Sequence, residues 1–185
     1  MKSLSLILFF LIALSATAQV KAPETDFVLK HGKVTWQHKY EIAGMTADSL
    51  LSSIIAKATE DPRNSDPIKV ENNLTFVVNN DKQNIKKYGG KEMKTSIIAQ
   101  LYMKYEVSVT ASDSTYVVSL KEIFVDNKDR TERKFGEISK FICNTSNLTF
   151  KDDPAILKGL TYIDKHFLDR FDVRTKADVP KMKKW

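Results

Sequence analysis

The sequence predicts an α+β domain, an antiparallel sheet with helices packed on one of its faces, and three observations carry that prediction. Residues Lys33 to Ile42 and the pair Thr95 to Thr110 and Thr115 to Val125 alternate apolar and polar side chains with period two, the pattern of half-buried strands. Two other stretches, beginning at Thr46 and Asp153, carry apolar residues at helical spacing behind capping residues. The order is strand, helix, strand, long hairpin, terminal helix, which leaves the sheet as the only large partner for both apolar helix stripes.

In the first strand Val34, Trp36, His38, Tyr40 and Ile42 share one face. Gly44 breaks it. Thr46 is the expected N-cap of the following helix, with Asp48 beside the positive dipole end and Met45 placed to staple onto Leu50. Leu50, Leu51, Ile54, Ile55 and Ala58 form its apolar stripe, and Asp61-Pro62 ends it, because the residue before proline leaves helical geometry. A polar turn from Arg63 to Asp66 leads to a strand region, Ile68 to Val78, with a bulge or bend expected at Asn72-Asn73. Asn79 to Lys94 is polar and reads as a long connection. Thr95 to Thr110 reads as one long strand, with Ile97, Ala99, Leu101, Met103, Tyr105, Val107 and Val109 on its inner face. Beyond the turn Ala111 to Ser114, its antiparallel partner places Tyr116, Val118, Leu120 and Phe124 on that same face. Asn127 to Arg133 is charged, and Phe135 to Ile142 fits a short helix or an edge strand. Asp153 and Pro154 then supply an N-cap with proline in the first helical position, ahead of Ile156, Leu160, Ile163, Phe167 and Phe171.

The chain has 185 residues, 42% of them hydrophobic, which suffices for one ordinary core and excludes a disordered chain. A single cysteine excludes a disulfide scaffold. Residues 1–18 have the three parts of an export signal: Met1-Lys2, an apolar run from Leu4 to Leu14, and Ala16-Thr17-Ala18. The run is about half the ~20 residues a membrane-spanning helix needs, so cleavage before Gln19 and a soluble periplasmic or secreted product without a transmembrane segment are expected. Residues 19–32 then form an N-terminal linker, 33–172 a single domain, and 173–185 a basic tail. The formal charge is +6, and the tail concentrates Arg174, Lys176, Lys181, Lys183 and Lys184 against Asp178, with Trp185 at its end. Such a tail suits a weak contact with an anionic surface or polyanion and offers no specific nucleic-acid readout.

No catalytic motif is present: no Gly-x-Ser-x-Gly elbow, no phosphate loop, and no metal-ligand spacing among His31, His38 and His166. No cofactor or metal is therefore expected. His38 stands out because it lies on the apolar parity of its strand; with Tyr102, on the outer parity of the long strand, it is the candidate ligand contact. Cys143 follows Phe141-Ile142 and reads as a buried thiol acting as a small hydrophobe. The function expected is a non-catalytic binding or accessory module that offers a surface or shallow cavity to a ligand or envelope protein. The alternative is an enzyme whose site is assembled from residues distant in sequence.

Three segments resemble an exported Bacteroidetes family of unknown function with a TBP-like fold. They are Val34-Thr35-Trp36 running into Tyr40 to Thr46, the hairpin of Met103 to Val107 with Thr115 to Leu120, and Ile163-Asp164-Lys165 of the terminal helix. The resemblance covers about residues 33 to 172. It implies the fold and an exported location, and carries no catalytic residue. It also implies a lineage in which Asp-Ser/Thr followed by an apolar residue or Thr can be O-glycosylated, a pattern met by Ser49 and Ser114. Ser114, at a hairpin tip, is expected to be the more accessible.

Overall fold

In the computed structural model, residues 19–91, 95–126, 136–144 and 148–174 are described; the expected export signal and most of the basic tail lie outside them. The alternating stretches form one antiparallel sheet. Its strands are β1 (Val20–Lys21), β2 (Phe27–Lys30), β3 (Lys33–Glu41), β4 (Ile68–Val70), β5 (Asn73–Asp81), β6 (Tyr102–Ser112), β7 (Thr115–Asp126) and β8 (Gly136–Glu137). The spatial order is β1-β2-β3-β7-β6-β5-β4, with β8 also paired to β7. β3 and β8 share one side of β7, β3 along Thr115 to Leu120 and β8 along Phe124 and Val125. A separate pair, β9 (Cys143–Asn144) and β10 (Thr149–Phe150), follows the short helix α2 (Ser139–Ile142).

Helices α1 (Ala47–Glu60) and α3 (Pro154–Phe171) lie on one face and close a single core over it. Trp36, Tyr105, Tyr116, Phe27, Phe167, Leu50 and Leu51 are its largest fully buried side chains. The caps are those expected: Thr46 accepts from the Ser49 N–H, and Asp153 accepts from Ala155 and Ile156 N–H. Sheet tyrosines hold the far end of α3, where carbonyls lack helical partners. Tyr40 donates to the Leu168 carbonyl at 3.0 Å and Tyr116 to the Phe171 carbonyl at 2.8 Å, the two rings stacked at 4.7 Å. Among the described residues no helix is long and apolar enough to cross a membrane.

Five expectations change. The stretch 19–32, read as linker, supplies strands β1 and β2, with β1 at the sheet edge: Ala22, Phe27 and Leu29 are buried in the core, and Phe27 pairs with Trp36. The long strand begins at Tyr102, and Ile97–Gln100 is a 3-10 turn. Tyr102 already pairs with Asp126 at the end of β7, so the preceding amides bond locally, Ala99 N–H to Ser96 and Leu101 N–H to Ile98. Gly159 of α3 packs on that turn: a Cβ there would meet the Ser96 Cβ at 2.9 Å. The bend expected between two short pieces is present, as a two-residue turn of Glu71 (φ 51°) and Asn72 that folds β4 back on β5, but β5 continues to Asp81 inside the expected connection. A bulge at Glu122 (φ 50°) shifts the β6–β7 register, so Ile123 and Val125 are buried and Phe124 leaves the inner face. Finally, Gly136 to Ile142, the described part of the stretch read as a short helix or an edge strand, divides between both readings, with β8 at Gly136 and α2 at Ser139.

Candidate functional site

The strongest polar constellation lies where the end of α1, the end of β5 and the last turns of α3 meet. Its centre is Asp81, wholly buried. The β5–β6 register shifts between Val78 and Asp81, and Asn80 sits at φ 55°; this irregularity turns Asp81 inward from what strict alternation makes the outer parity. Four donors converge on its carboxylate: Arg63 Nη1 at 3.0 Å, His166 Nε2 at 3.0 Å, Arg170 Nη1 at 3.3 Å and the Tyr105 hydroxyl. His166 and Arg170 stand four apart on α3, and therefore on one helix face.

A second carboxylate shares both guanidiniums. Asp61 receives Arg63 Nε at 2.8 Å and Nη2 at 2.6 Å, a forked pair, together with Arg170 Nη2 at 2.9 Å. Arg170 Nη2 also reaches Asn64 Oδ1, and Asn64 donates to the Ala58 carbonyl at the end of α1. Beside this network opens a cleft of about 240 Å³. Its apolar lining is Ile54, Ala58, Phe76, Phe171 and Val173, and its polar lining is Lys57, Arg63 and Arg170 with Asn64 and the Asp61 carboxylate.

The electrostatics follow from those contacts. Burial by itself raises the Asp81 pKa, but His166, Arg170 and the Tyr105 hydroxyl outweigh it and hold the carboxyl below its ordinary 3.8. The Arg63 fork pulls Asp61 well below the usual carboxylate range. Burial and the Asp81 charge push Tyr105 well above 10. Lys57 is lowered by burial, and its ammonium donates to the Asp172 carbonyl at 2.6 Å, tying α1 to the end of α3. Both carboxyls are thus displaced in the same direction, toward the ionised form.

The residues singled out from the sequence fall elsewhere. His38 is half-buried against Trp36 and Tyr40, and its Nδ1 lies 2.6 Å from Asp26 Oδ2. Asp26 also takes Lys21 Nζ at 3.0 Å and donates its backbone N–H to Asp164 Oδ1 at 2.8 Å, and the Trp36 indole N–H meets that same oxygen at 2.8 Å. Burial raises the Asp164 pKa. Tyr102 lies on the opposite face of the sheet, 4.6 Å beneath Lys82 Nζ, so the two candidates are not brought together. Cys143 is buried, and burial pushes its thiol up to about 11, which leaves little thiolate. Arg174 folds onto Asp172, Nη2 to Oδ2 at 2.6 Å, while Lys176, Lys181, Lys183, Lys184 and Trp185 lie outside the described residues. Ser114 is not the more open serine. Its hydroxyl accepts from Gly44 N–H at 3.4 Å and its backbone bonds to Ile42 and Met45, whereas Ser49 is exposed on α1.

Arg63, Asp81 and Arg170 were not among the sequence candidates. The i, i+4 pair of His166 and Arg170 beside the apolar stripe of α3 was their one visible trace.

No protein-family model and no curated protein matches the chain. Two solved structures are similar to it. A TBP-like protein from Parabacteroides distasonis is 16% identical over 78% of this chain and 94% of its own, with a TM-score of 0.54. A DUF4468 family protein from Bacteroides ovatus is 15% identical over 92% of this chain and 95% of its own, with a TM-score of 0.50. At that identity the likeness shows the fold: an α+β architecture of the TBP-like kind.

Proposed function

We propose that this chain is a non-catalytic exported binding module whose cleft between α1, β5 and α3 takes a small amphipathic anion. One observation carries the reading: an apolar floor of Ile54, Ala58, Phe76 and Phe171 lies against a wall of Arg63 and Arg170, both held in place by Asp61 and Asp81. Guanidiniums fixed in advance bind a carboxylate with little loss of side-chain freedom, and the floor receives the alkyl part. Export rests on the pattern of residues 1–18.

Hexanoate titrated into the isotope-labelled protein should shift the methyl resonances of Ala58, Ile54 and Val173 saturably. Hexanamide, which lacks the charge, should bind at least about 10-fold more weakly, since a charge-assisted hydrogen bond contributes about 1.5–3 kcal/mol. Val173→Trp, which fills the mouth of the cleft, should abolish both. Equal affinity for acid and amide would refute the anion reading.

The tail beyond Asp172 belongs to the same proposal as a weak contact with anionic lipid. Arg174 is already engaged by Asp172, which leaves four lysines at about 1 kcal/mol each near such a surface, with Trp185 suited to the interface. Vesicles containing phosphatidylserine should co-sediment with the full chain at low salt and release it at high salt. A chain ending at Asp172 that binds equally well would remove the tail from the proposal.

For the modification pattern, intact-mass analysis of protein from an O-glycosylating host should show the increment lost in Ser49→Ala and retained in Ser114→Ala. The reverse result would restore the hairpin tip as the modified position.

A further inference from the structure

Strand β3 is paired with β7 from Trp36 to Glu41, but along its other side the pairing with β2 covers only Lys33 to Trp36. The hydrogen bonds that flank this gap fix which groups are left over. Gln37 N–H donates to the Asp26 carbonyl and Ile42 N–H to the Ser114 carbonyl, so the odd-numbered residues of β3 turn their backbone groups toward the β2 side and the even-numbered ones toward β7. Asp26 returns no bond to Gln37, because its own N–H is turned onto Asp164 Oδ1 at 2.8 Å, and β2 begins only at Phe27. Among the described residues, the Gln37 carbonyl and both backbone groups of Lys39 and Glu41 therefore face outward with no backbone partner. The remaining outer edges are shorter: β1 and β8 have two residues each, and β4 has three, preceded by Pro67, which lacks an N–H.

From this geometry we infer that the free edge of β3 pairs antiparallel with the same edge of a second copy of the chain, Lys39 of each copy opposite Glu41 of the other. Charge complementarity selects both the partner and the register. Only the outward-pointing residues can exchange bonds across the junction. Setting Lys39 opposite Lys39, or Glu41 opposite Glu41, places like charges side by side, which destabilises a strand pair. Lys39 opposite Glu41 instead repeats an ion pair on either side of a two-fold axis, with about four backbone hydrogen bonds between the strands. The two side chains already meet within one copy, at 2.8 Å on the sheet face that carries no helix, so their charges alternate across the junction. On the other face this register brings half-buried His38 opposite Ile42 of the second copy. There is room for the incoming strand, because after Ile42 the chain bends back to Ser114 through Gly44 (φ 81°) and so stops short of β2. The junction shares no residue with the cleft of the anion proposal, so either stands if the other fails.

A junction of this size is smaller than that of a stable dimer, so the association is weak and set by concentration. Sedimentation velocity of the full-length mature protein should move from monomer toward dimer between about 10 μM and about 1 mM, and amide exchange at Lys39 and Glu41 should slow over the same range. Lys39→Glu and Glu41→Lys, both at exposed positions, each set like charges opposite one another throughout the junction and should weaken association at least about 10-fold. An equimolar mixture of the two variants should restore it, since every charge then faces its opposite, and the restoration shows that both variants are folded. The double variant Lys39→Glu/Glu41→Lys should pair as the unsubstituted chain does. A protein still monomeric at about 1 mM overturns the pairing and leaves the edge to some other chain. A dimer that Lys39→Glu leaves intact, a mixture that associates no more tightly than its components, or a dimer with unchanged exchange at Lys39 and Glu41 overturns it equally.

Discussion

Trp36→Ala is expected to lower the stability of the folded protein by about 3–5 kcal/mol, the range for deleting a large aromatic side chain from a well-packed core. The indole is wholly buried, edge-on to Phe167 at 5.5 Å and tilted against Phe171 at 6.2 Å, so its removal opens a void between β3 and α3 that neither element is free to close. It also takes away one of the two donors to Asp164 Oδ1. Trp36→Phe separates the two effects: most of the packing stays and the N–H goes, so its cost should be about 1–3 kcal/mol, that of an acceptor left short in a buried site. Urea unfolding read at constant m measures both. A loss below about 1 kcal/mol for the alanine variant would mean that the tryptophan does not bridge sheet and helix.

That the tryptophan faces inward was legible from period two alone, because β3 is regular from Lys33 to Glu41. The caps at Thr46 and Asp153 were equally legible, since capping is a local bargain between a side chain and the next two or three amides. What alternation does not reveal is where it skips. Glu122 and Asn80 adopt positive φ, and each resets the parity of its strand, which puts Phe124 outside and Asp81 inside against the pattern. Asparagine tolerates positive φ but does not demand it, and glutamate gives no hint at all; both bulges are set by pairing with β6, a long-range condition. The same holds for Val20 to Lys30, whose strands exist because β3 has a free edge to offer. The candidate site inherits that illegibility. Arg63 and Arg170 are far apart in sequence, and of the two carboxylates that join them, the buried one, Asp81, points inward only because of a bulge.

Asp81→Ala is the second large effect, expected at about 3–5 kcal/mol, because it leaves buried cationic donors without their acceptor. Arg170, with a side chain only 11% exposed, loses one carboxylate and keeps Asp61, so the damage centres on His166, Tyr105 and Arg63 Nη1. The pH dependence distinguishes this from a simple packing loss. Asp81 and Asp61 both titrate lower in the folded chain than their ordinary 3.8, so below that value the unfolded chain binds more protons. Their stabilisation is complete above about pH 4–5 and is lost as pH falls through the depressed folded values. Asp164, raised by burial, runs the other way: the folded state holds its proton longer, so its contribution declines as pH rises through the raised value and offsets part of the acid loss. Urea unfolding from about pH 2 to pH 7 should therefore show a steep fall in stability on the acid side for the unsubstituted protein and a shallower one for Asp81→Ala, in which Asp61 and Asp172 are still depressed. The two curves should converge as the acid limit is approached, because a protonated Asp81 has already surrendered its ion pairs with Arg63 and Arg170. Parallel curves down to the acid limit would mean that Asp81 is not ionised in the folded protein and that the arginines are oriented by Asp61 alone.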